Sequence, residues 1–535
     1  MGIISSVRAH SQAGSVRRMT SKRQVFRSSM VVGFFSLLGS ITGILVETSI
    51  AAKLGLSESS DTFYVAFTVP YIITNLISAT GQFSLVPFFS SLDARHSAEE
   101  LWKGFSYAVN LIFLGLLGVA LLGAAISPWL IRGIAPGFTG EQLRLAGGLA
   151  RWLFLIIVPA GVAEVFRSFL YSQHRFAIPS AAGFFRNVIV ILSIVLTFPR
   201  WGLTSIVVGY GAGYLFQFAI LGGQLLITFP VRYTFHLAGG GEAFRNLRGA
   251  GTAQITVSVA WQAVVIVERI IASFLPPGTL TALNYGFKIM STLAELIGGS
   301  IGTAVLPILS RAFAHQEIEK ERRIFRDALE IGLAVITPAL VFCLTLDRSI
   351  VRLVFERGNF TPAATDLMSM IFFYYSFSLL FFAFVRLLTF HLFARNEVWG
   401  FTWITLLLYS HTVAFDLFYV GILKMGARGI PLAMLTGFAL TSGLILLKNL
   451  GGMRDVFDRS FNGFTAKNLL GAGLAALAVW QTSSWMAPPA GTLGNFFFLV
   501  IVCGAGSLVF FSTLAATRAI PLSALSAFRE TEGDE

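Results

Sequence analysis

The sequence predicts an all-α integral membrane protein of about fourteen transmembrane helices, built as two six-helix repeats plus two C-terminal helices. Three observations predict it. Apolar segments of 18 or more residues recur along the whole chain, which is the length a helix needs to cross the hydrocarbon core. The run LVPFFS at Leu85–Ser90 is echoed by VLPILS at Val305–Ser310, and SPWLIRGIAPGFT from Ser127 is echoed by DRSIVRLVFERGNFT from Asp347, both at an interval of 220 residues. Arg132 then faces Arg352 and, after a two-residue slip, Phe138-Thr139 faces Phe360-Thr361. A duplicated bundle is the reading this interval supports. Finally, Glu268, Arg269, Lys288 and Glu295 lie inside long apolar segments. Charge at bilayer depth is costly and normally faces a bundle interior or a watery cavity.

Composition agrees. Of the 535 residues, 55% are hydrophobic and 12% are charged. The net charge of +12 is dispersed through the loops, which is the pattern of the positive-inside rule and not that of a nucleic-acid surface. Cys343 and Cys503 both fall within apolar segments, so neither a disulfide framework nor a metal site is expected.

Taken in order, residues 1–28 carry Arg8, Arg17, Arg18, Lys22, Arg23 and Arg27 and no acid. They read as a cytoplasmic tail with no cleavable signal. Apolar segments follow at 30–47, 62–90, 104–131, 147–171, 179–199 and 202–228, and these form the first half, 29–248. Segments at 250–275, 280–310, 325–346, 365–393, 398–423 and 427–449 form the second half, 249–450. Segments thirteen and fourteen, 466–485 and 493–516, belong to 451–520, and 521–535 is a second cytoplasmic tail. The even count places both termini on one side, and the basic tail makes that side the cytoplasmic one. The longer hydrophilic stretches Asp93–Lys103, Arg232–Arg248, Arg311–Arg326 and Gly451–Lys467 share that side, and exterior loops such as Pro276-Pro277-Gly278 are short turns. Pro70, Pro87, Pro159, Pro307 and Pro338 permit kinks that a rocking bundle can use, or ease close packing.

No catalytic constellation stands out. His174, His391 and His411 are scattered, and the Gly-rich runs GYGAGY and LIGGSIG lie in apolar helices without the strand-to-helix context of a nucleotide loop.

Five stretches carry a family resemblance: DTFYVAFTVP from Asp61, RFAIPSAAGFFRN from Arg175, VERIIASFL from Val267, the run ending GTAVLPILSRAF, and IVRLVFERGNFT from Ile350. In this order and spacing they resemble the MurJ/MviN family, the lipid II flippases of the multidrug/oligosaccharidyl-lipid/polysaccharide exporter superfamily. The resemblance covers helices one to twelve, and two extra helices also fit. It implies a V-shaped bundle that carries an undecaprenyl-pyrophosphate-linked glycan across the bacterial inner membrane by alternating access. The headgroup is expected in a central cavity, and the lipid tail in a groove that helices thirteen and fourteen help to form. The family's first helix carries two arginines bracketing a Gly. Anchored on Gly43, those positions here hold Ser40 and Val46, with the following acid kept as Glu47. A family arginine of helix two falls on Thr74, and that of helix eight on Lys288.

A pyrophosphate that leaves water needs cations or oriented donors. Lys288, Arg186, Arg386 and Arg167 are the substrate-binding candidates, with Lys288 foremost because it matches a family position. Arg167 lies three residues from Glu164, so an internal ion pair accounts for it equally well. Among the acids, Glu47 and Asp61 sit near the predicted outer ends of helices one and two and are candidates for a gate. The resemblance places Glu268 on the acid of a sodium site that some members complete from helices eleven and twelve. Here Thr412, Asp416 and Thr436 are available for it. Sodium or proton coupling is thus expected, with no other cofactor, a lipid-linked glycan and membrane lipid as partners, and a monomer.

Other readings are an exopolysaccharide-unit flippase, a cation-coupled drug exporter of the same superfamily, a membrane glycan polymerase or ligase, and a non-transporting scaffold. The FERGNFT run argues against the drug exporter, and the short exterior loops argue against a polymerase.

Overall fold

The computed structural model describes residues 30–95, 97–235, 237, 250–395, 397–447, 456–486, 489 and 491–519, and every regular element among them is helical. The tails 1–28 and 521–535 lie outside the described residues, as does most of the stretch between segments six and seven.

Helix α1 is Met30–Leu54. Helix α2 is Glu58–Thr80 and runs on through a π-helical turn, Gly81–Leu85, into Val86–Arg95. Then come α3 (Ala98–Ile134), α4 (Gly140–Ser172), α5 (Ala177–Trp201), α6 (Thr204–Thr228) and α7 (Ala250–Ala272). Helix α8 is Thr279–Ala294, continued by the π turn Glu295–Gly299 and Ser300–Ala314. Helix α9 is Ile318–Thr345, followed by a short amphipathic helix, Asp347–Phe355. Last are α10 (Pro362–Ala394), α11 (Val398–Asp416, with a π turn Leu417–Ile422), α12 (Gly429–Leu447), α13 (Arg459–Trp485) and α14 (Thr492–Ala516).

Thirteen helices among the described residues are long and apolar enough to span a membrane. The expected count of fourteen differs by α13. It has a spanning length of 27 residues, but Asn462, Lys467, Asn468 and the run 481–484 (Gln-Thr-Ser-Ser) dilute its apolar content.

The duplication is visible in the helix starts. The pairs Glu58/Thr279, Ala98/Ile318, Gly140/Pro362 and Ala177/Val398 open α2/α8, α3/α9, α4/α10 and α5/α11, each at nearly the same interval. Helices α4 and α10 are both 33 residues long. Their starts are capped alike, because the hydroxyl of Thr139 accepts from Gln142 N at 3.4 Å and that of Thr361 accepts from Ala364 N at 3.3 Å. Such caps satisfy backbone donors that have no partner within the helix. The halves part company after that. Helix α3 runs unbroken through Pro128, whereas α9 stops and the short helix turns aside.

The described residues pack as two compact units. One gathers those of Met1–Val46, Ile73–Ala125 and Arg151–Gly251; the other gathers Glu47–Ile72, Ile126–Ala150 and those of Thr252–Glu535. The first unit is centred on aromatic residues. Phe89, Trp102, Phe105 and Phe169 are buried, with ring centroids 4.9–6.2 Å apart. Edge-to-face pairs of this kind add to simple burial. The second unit packs Val305, Leu309, Phe325, Leu388 and Leu392 into one core. It joins α13 to α14 through small residues, Gly471 meeting Phe510 and Gly506 meeting Val479 and Phe342. Between membrane helices, where lipid is as apolar as leucine, such close approach is a main source of cohesion.

Candidate functional site

Asp61 binds the start of α8. Its carboxylate accepts from Gly278 N (2.7 Å), Thr281 N (2.8 Å) and Thr281 Oγ1 (2.6 Å). The first N–H groups of any helix lack partners within it and carry its positive dipole end, so a carboxylate there is doubly favoured. Gly278 stands at φ +83, and a Cβ there would lie 2.8 Å from Leu56; the turn needs a glycine. Nearby, the Tyr64 hydroxyl donates to Glu47 and lies 3.3 Å from the Tyr285 hydroxyl, while Tyr285 stacks on Phe355. Asn359 donates through N to Ala52 O and through Nδ2 to Lys53 O. Thr48 donates to Val354 O and Gly137 N donates to Ser273 Oγ. The two gate candidates, Glu47 and Asp61, thus each take part in hydrogen bonds that join the first two helices to each other or to α8, inside the second unit.

A second cluster surrounds Glu268. Asp416 is fully buried, close enough to Glu268 to interact with it electrostatically, and Tyr375 lies near both. Among the described residues neither oxygen of Asp416 has a hydrogen-bond partner, and neither does Oε1 of Glu268. Arg269, beside Glu268, turns to Asn284 Oδ1 (2.8 Å) and Leu280 O (3.4 Å). Thr412 and Thr436 donate to backbone carbonyls of their own helices, which leaves their oxygen lone pairs free to accept. Gly437 lets α11 and α12 approach there, since a Cβ would lie 2.6 Å from Thr412 Oγ1. Carboxylate and hydroxyl oxygens are the donors that a hard cation takes, and buried carboxylates without partners equally suit a proton. The unpartnered oxygens of Glu268 and Asp416 fit either. Among the described residues no group of three or more His, Cys, Asp or Glu is placed to hold a metal.

The four candidate cations differ in their surroundings. Arg167 pairs with Glu164 at 2.8 Å, both largely buried, and Ser78 reaches the same carboxylate at 3.4 Å. Arg386 pairs with Glu295 at 2.9 Å and lies over Phe390. Lys288 is half-buried on α8; it forms no ion pair among the described residues, and Glu47 is its electrostatic neighbour. Arg186 is held by Asn187, Gln217 and the Tyr214 ring.

Both acid–arginine pairs stand at a π turn. Gly81, which opens that of α2, packs on Glu164, where a Cβ would lie 2.9 Å from Cγ; Glu295 opens that of α8. Asp416 immediately precedes the third, in α11. Such turns recur at functional positions in helices.

Thr281, Tyr64, Tyr285, Tyr375, Asn187 and Gln217 were not singled out by sequence. For one there was a signal: the 220-residue interval sets Asp61 opposite Thr281.

An apolar cavity of about 230 Å³ opens among the π turn of α8, α9, α10, α12 and the start of α13; its lining includes Gly298, Gly332, Leu387, Leu446, Phe457 and Phe461.

A protein from Thermotoga maritima described as a probable lipid II flippase MurJ is 27% identical over 479 residues, which is 89% of this chain and 93% of the relative. The lipid II flippase MurJ of Burkholderia cenocepacia is 25% identical over 441 residues, 79% of this chain and 83% of the relative. A solved structure of lipid II flippase MurJ in an inward closed conformation superposes with a TM-score of 0.75 at 20% identity, covering 92% of this chain and all of that one. An inward-facing multidrug resistance MATE transporter of the MOP superfamily gives 0.66 at 15% identity, covering 79% and 94%. These two likenesses speak for the fold. The family model described as lipid II flippase MurJ matches residues 50–502, most of the sequence, and the chain belongs to that family.

Proposed function

We propose that this protein is a multi-pass transporter that flips a polyprenyl-pyrophosphate-linked glycan, lipid II or a close relative, across the bacterial inner membrane by alternating access. Membership of the flippase family over residues 50–502 carries this reading. Lys288 supports it: a half-buried cation within a spanning helix, free of any ion pair among the described residues, is suited to a phosphate leaving water. The charges of Arg386 and Arg167 are already matched by Glu295 and Glu164. The Asp61 clamp, with Glu47 and Tyr64, serves as the gate. Its hydrogen bonds hold α2 to the start of α8 and must break when that end opens.

Glu268, Asp416, Thr412 and Thr436 form the coupling site for sodium or a proton. A bound cation would neutralise the buried carboxylates, so its arrival and departure can bias the transport cycle. The apolar cavity beside α13 is suited to part of the polyprenyl chain. The protein works as a monomer with both termini cytoplasmic, as its basic N-terminal run suggests.

The test is reconstitution in vesicles with fluorescent lipid II. Reduction or quenching from outside reports the flipped fraction. Protein-dependent flipping is expected; the absence of flipping by folded protein, with a sodium or proton gradient imposed in turn, overturns the reading.

A further inference from the structure

We infer that Arg186, with Asn187, Gln217 and Tyr214, forms an anion seat in the first unit that takes a phosphate group of the lipid-linked substrate. This deepens the proposed function and rests on it.

Charge sets Arg186 apart from the other intramembrane cations. Arg167 and Arg386 each have a carboxylate within ion-pair distance. Arg269 has Glu268 and Asp61 as electrostatic neighbours, and Lys288 has Glu47. Arg186 differs. Its Nε and one terminal nitrogen donate to Asn187 Oδ1 at 3.3 and 3.2 Å, and the other donates to Gln217 Oε1 at 3.3 Å. The guanidinium lies 4.9 Å from the Tyr214 ring centroid. All these partners are neutral, and among the described residues Arg186 forms no ion pair.

The surroundings are also built. Asn187 and Gln217 are 8% and 2% exposed. The Asn187 amide nitrogen donates to Gly39 O at 3.1 Å and Thr42 Oγ1 at 3.2 Å, so it is fixed against α1 while its oxygen orients the arginine. Gly213 lies directly beneath, where a Cβ would sit 3.0 Å from Arg186 Cγ and its carbonyl oxygen. Arg186 is ten residues into α5, about 15 Å along the helix at 1.5 Å per residue, close to the middle of a hydrocarbon core. A cation at that depth without an acid is costly. The long, 3.2–3.3 Å bonds to neutral amides orient its planar fork without cancelling its charge. Bidentate capture of phosphate is what such a fork does best.

The seat's own geometry supplies the test. Gln217→Glu places a carboxylate where an amide oxygen already meets the arginine. It provides the missing counterion and leaves the fold intact, but cancels the charge that would attract phosphate. Binding to purified protein in detergent would be measured for undecaprenyl pyrophosphate, undecaprenol, inorganic pyrophosphate and phosphatidylglycerol, with thermal unfolding in parallel. Wild type is expected to prefer undecaprenyl pyrophosphate over the other three. Arg186→Gln and Gln217→Glu should each weaken that binding roughly ten- to a hundredfold, with Gln217→Glu unfolding no earlier than wild type, and Arg186→Lys should lie between. Wild-type-like binding by both Arg186→Gln and Gln217→Glu overturns the seat while leaving the flippase reading intact. Equal wild-type affinity for undecaprenyl pyrophosphate and undecaprenol overturns both. Inorganic pyrophosphate or phosphatidylglycerol binding as tightly, and as sensitively to Gln217→Glu, assigns the seat to free phosphate or bulk lipid and overturns the substrate assignment.

Discussion

Asp61 of α2 and Thr281 of α8 stand 220 residues apart and are bonded to each other twice, through Thr281 N at 2.8 Å and Oγ1 at 2.6 Å. The interval is that of the internal duplication. Corresponding positions of the two repeats therefore touch, which places a local two-fold relationship between the ends of these helices. Tyr64 and Tyr285, nearly the same interval apart, meet beside them. A clamp at such a point can release both helices together.

Asp61→Ala should accordingly loosen this end. The carboxylate accepts three bonds, and leaving their buried donors without a partner costs about 3 kcal/mol or more. In a background without Cys343 and Cys503, Ala282→Cys, fully buried one turn into α8, would be probed with a membrane-impermeant maleimide. Asp61→Ala is expected to raise its labelling severalfold. Unchanged labelling would remove Asp61 from the gate.

Glu164 and Arg167 are expected to be structural partners. Glu164→Gln leaves a largely buried arginine without its acid, which typically costs about 3–5 kcal/mol. The double variant Glu164→Gln/Arg167→Gln should recover part of that loss. Thermal unfolding of the three variants in detergent decides the point, and a double variant less stable than Glu164→Gln would contradict it.

Asp416→Asn and Glu268→Gln should each slow transport and remove its dependence on the coupling gradient, because the buried oxygens that would hold a cation become amides. Flipping in vesicles with sodium and proton gradients imposed separately would also identify the ion. Undiminished, gradient-dependent flipping in both variants would exclude these residues from coupling.

Leu446→Trp should fill the apolar cavity beside α13. If a polyprenyl chain lies there, the variant should bind a short-chain pyrophosphate like wild type and the full-length lipid several times more weakly. Equal loss for both would point to misfolding, and no loss would leave the cavity without a lipid role.

Much of the fold was legible in the sequence because membrane helices advertise themselves by length and apolarity, and because duplication repeats their starts. Segment thirteen was the exception: Lys467, Asn468 and the polar run before Met486 separate helix formation from apolar content. The charges of the site were equally legible, since each stands out in an apolar segment. Their partners were not. Glu295 and Arg386 are 91 residues apart and meet at 2.9 Å, and Arg186 and Gln217 are joined only because α5 and α6 pack side by side. Neutral amides and tyrosines carry no mark of function along a sequence, so Asn187, Gln217, Tyr64 and Tyr285 emerge only from packing. The π turns were invisible too, because the glycines of Gly81–Leu85 and Glu295–Gly299 read equally well as close-packing positions in a membrane helix.

Flipping of fluorescent lipid II by Lys288→Ala tests most directly the proposed contact between Lys288 and the substrate's pyrophosphate. At matched protein levels, wild type and Lys288→Arg should both flip, because both keep the charge. Lys288→Ala should fall below detection, since losing one partner of a desolvated charge pair costs about 2–5 kcal/mol. Wild-type flipping by Lys288→Ala at normal abundance would contradict the account.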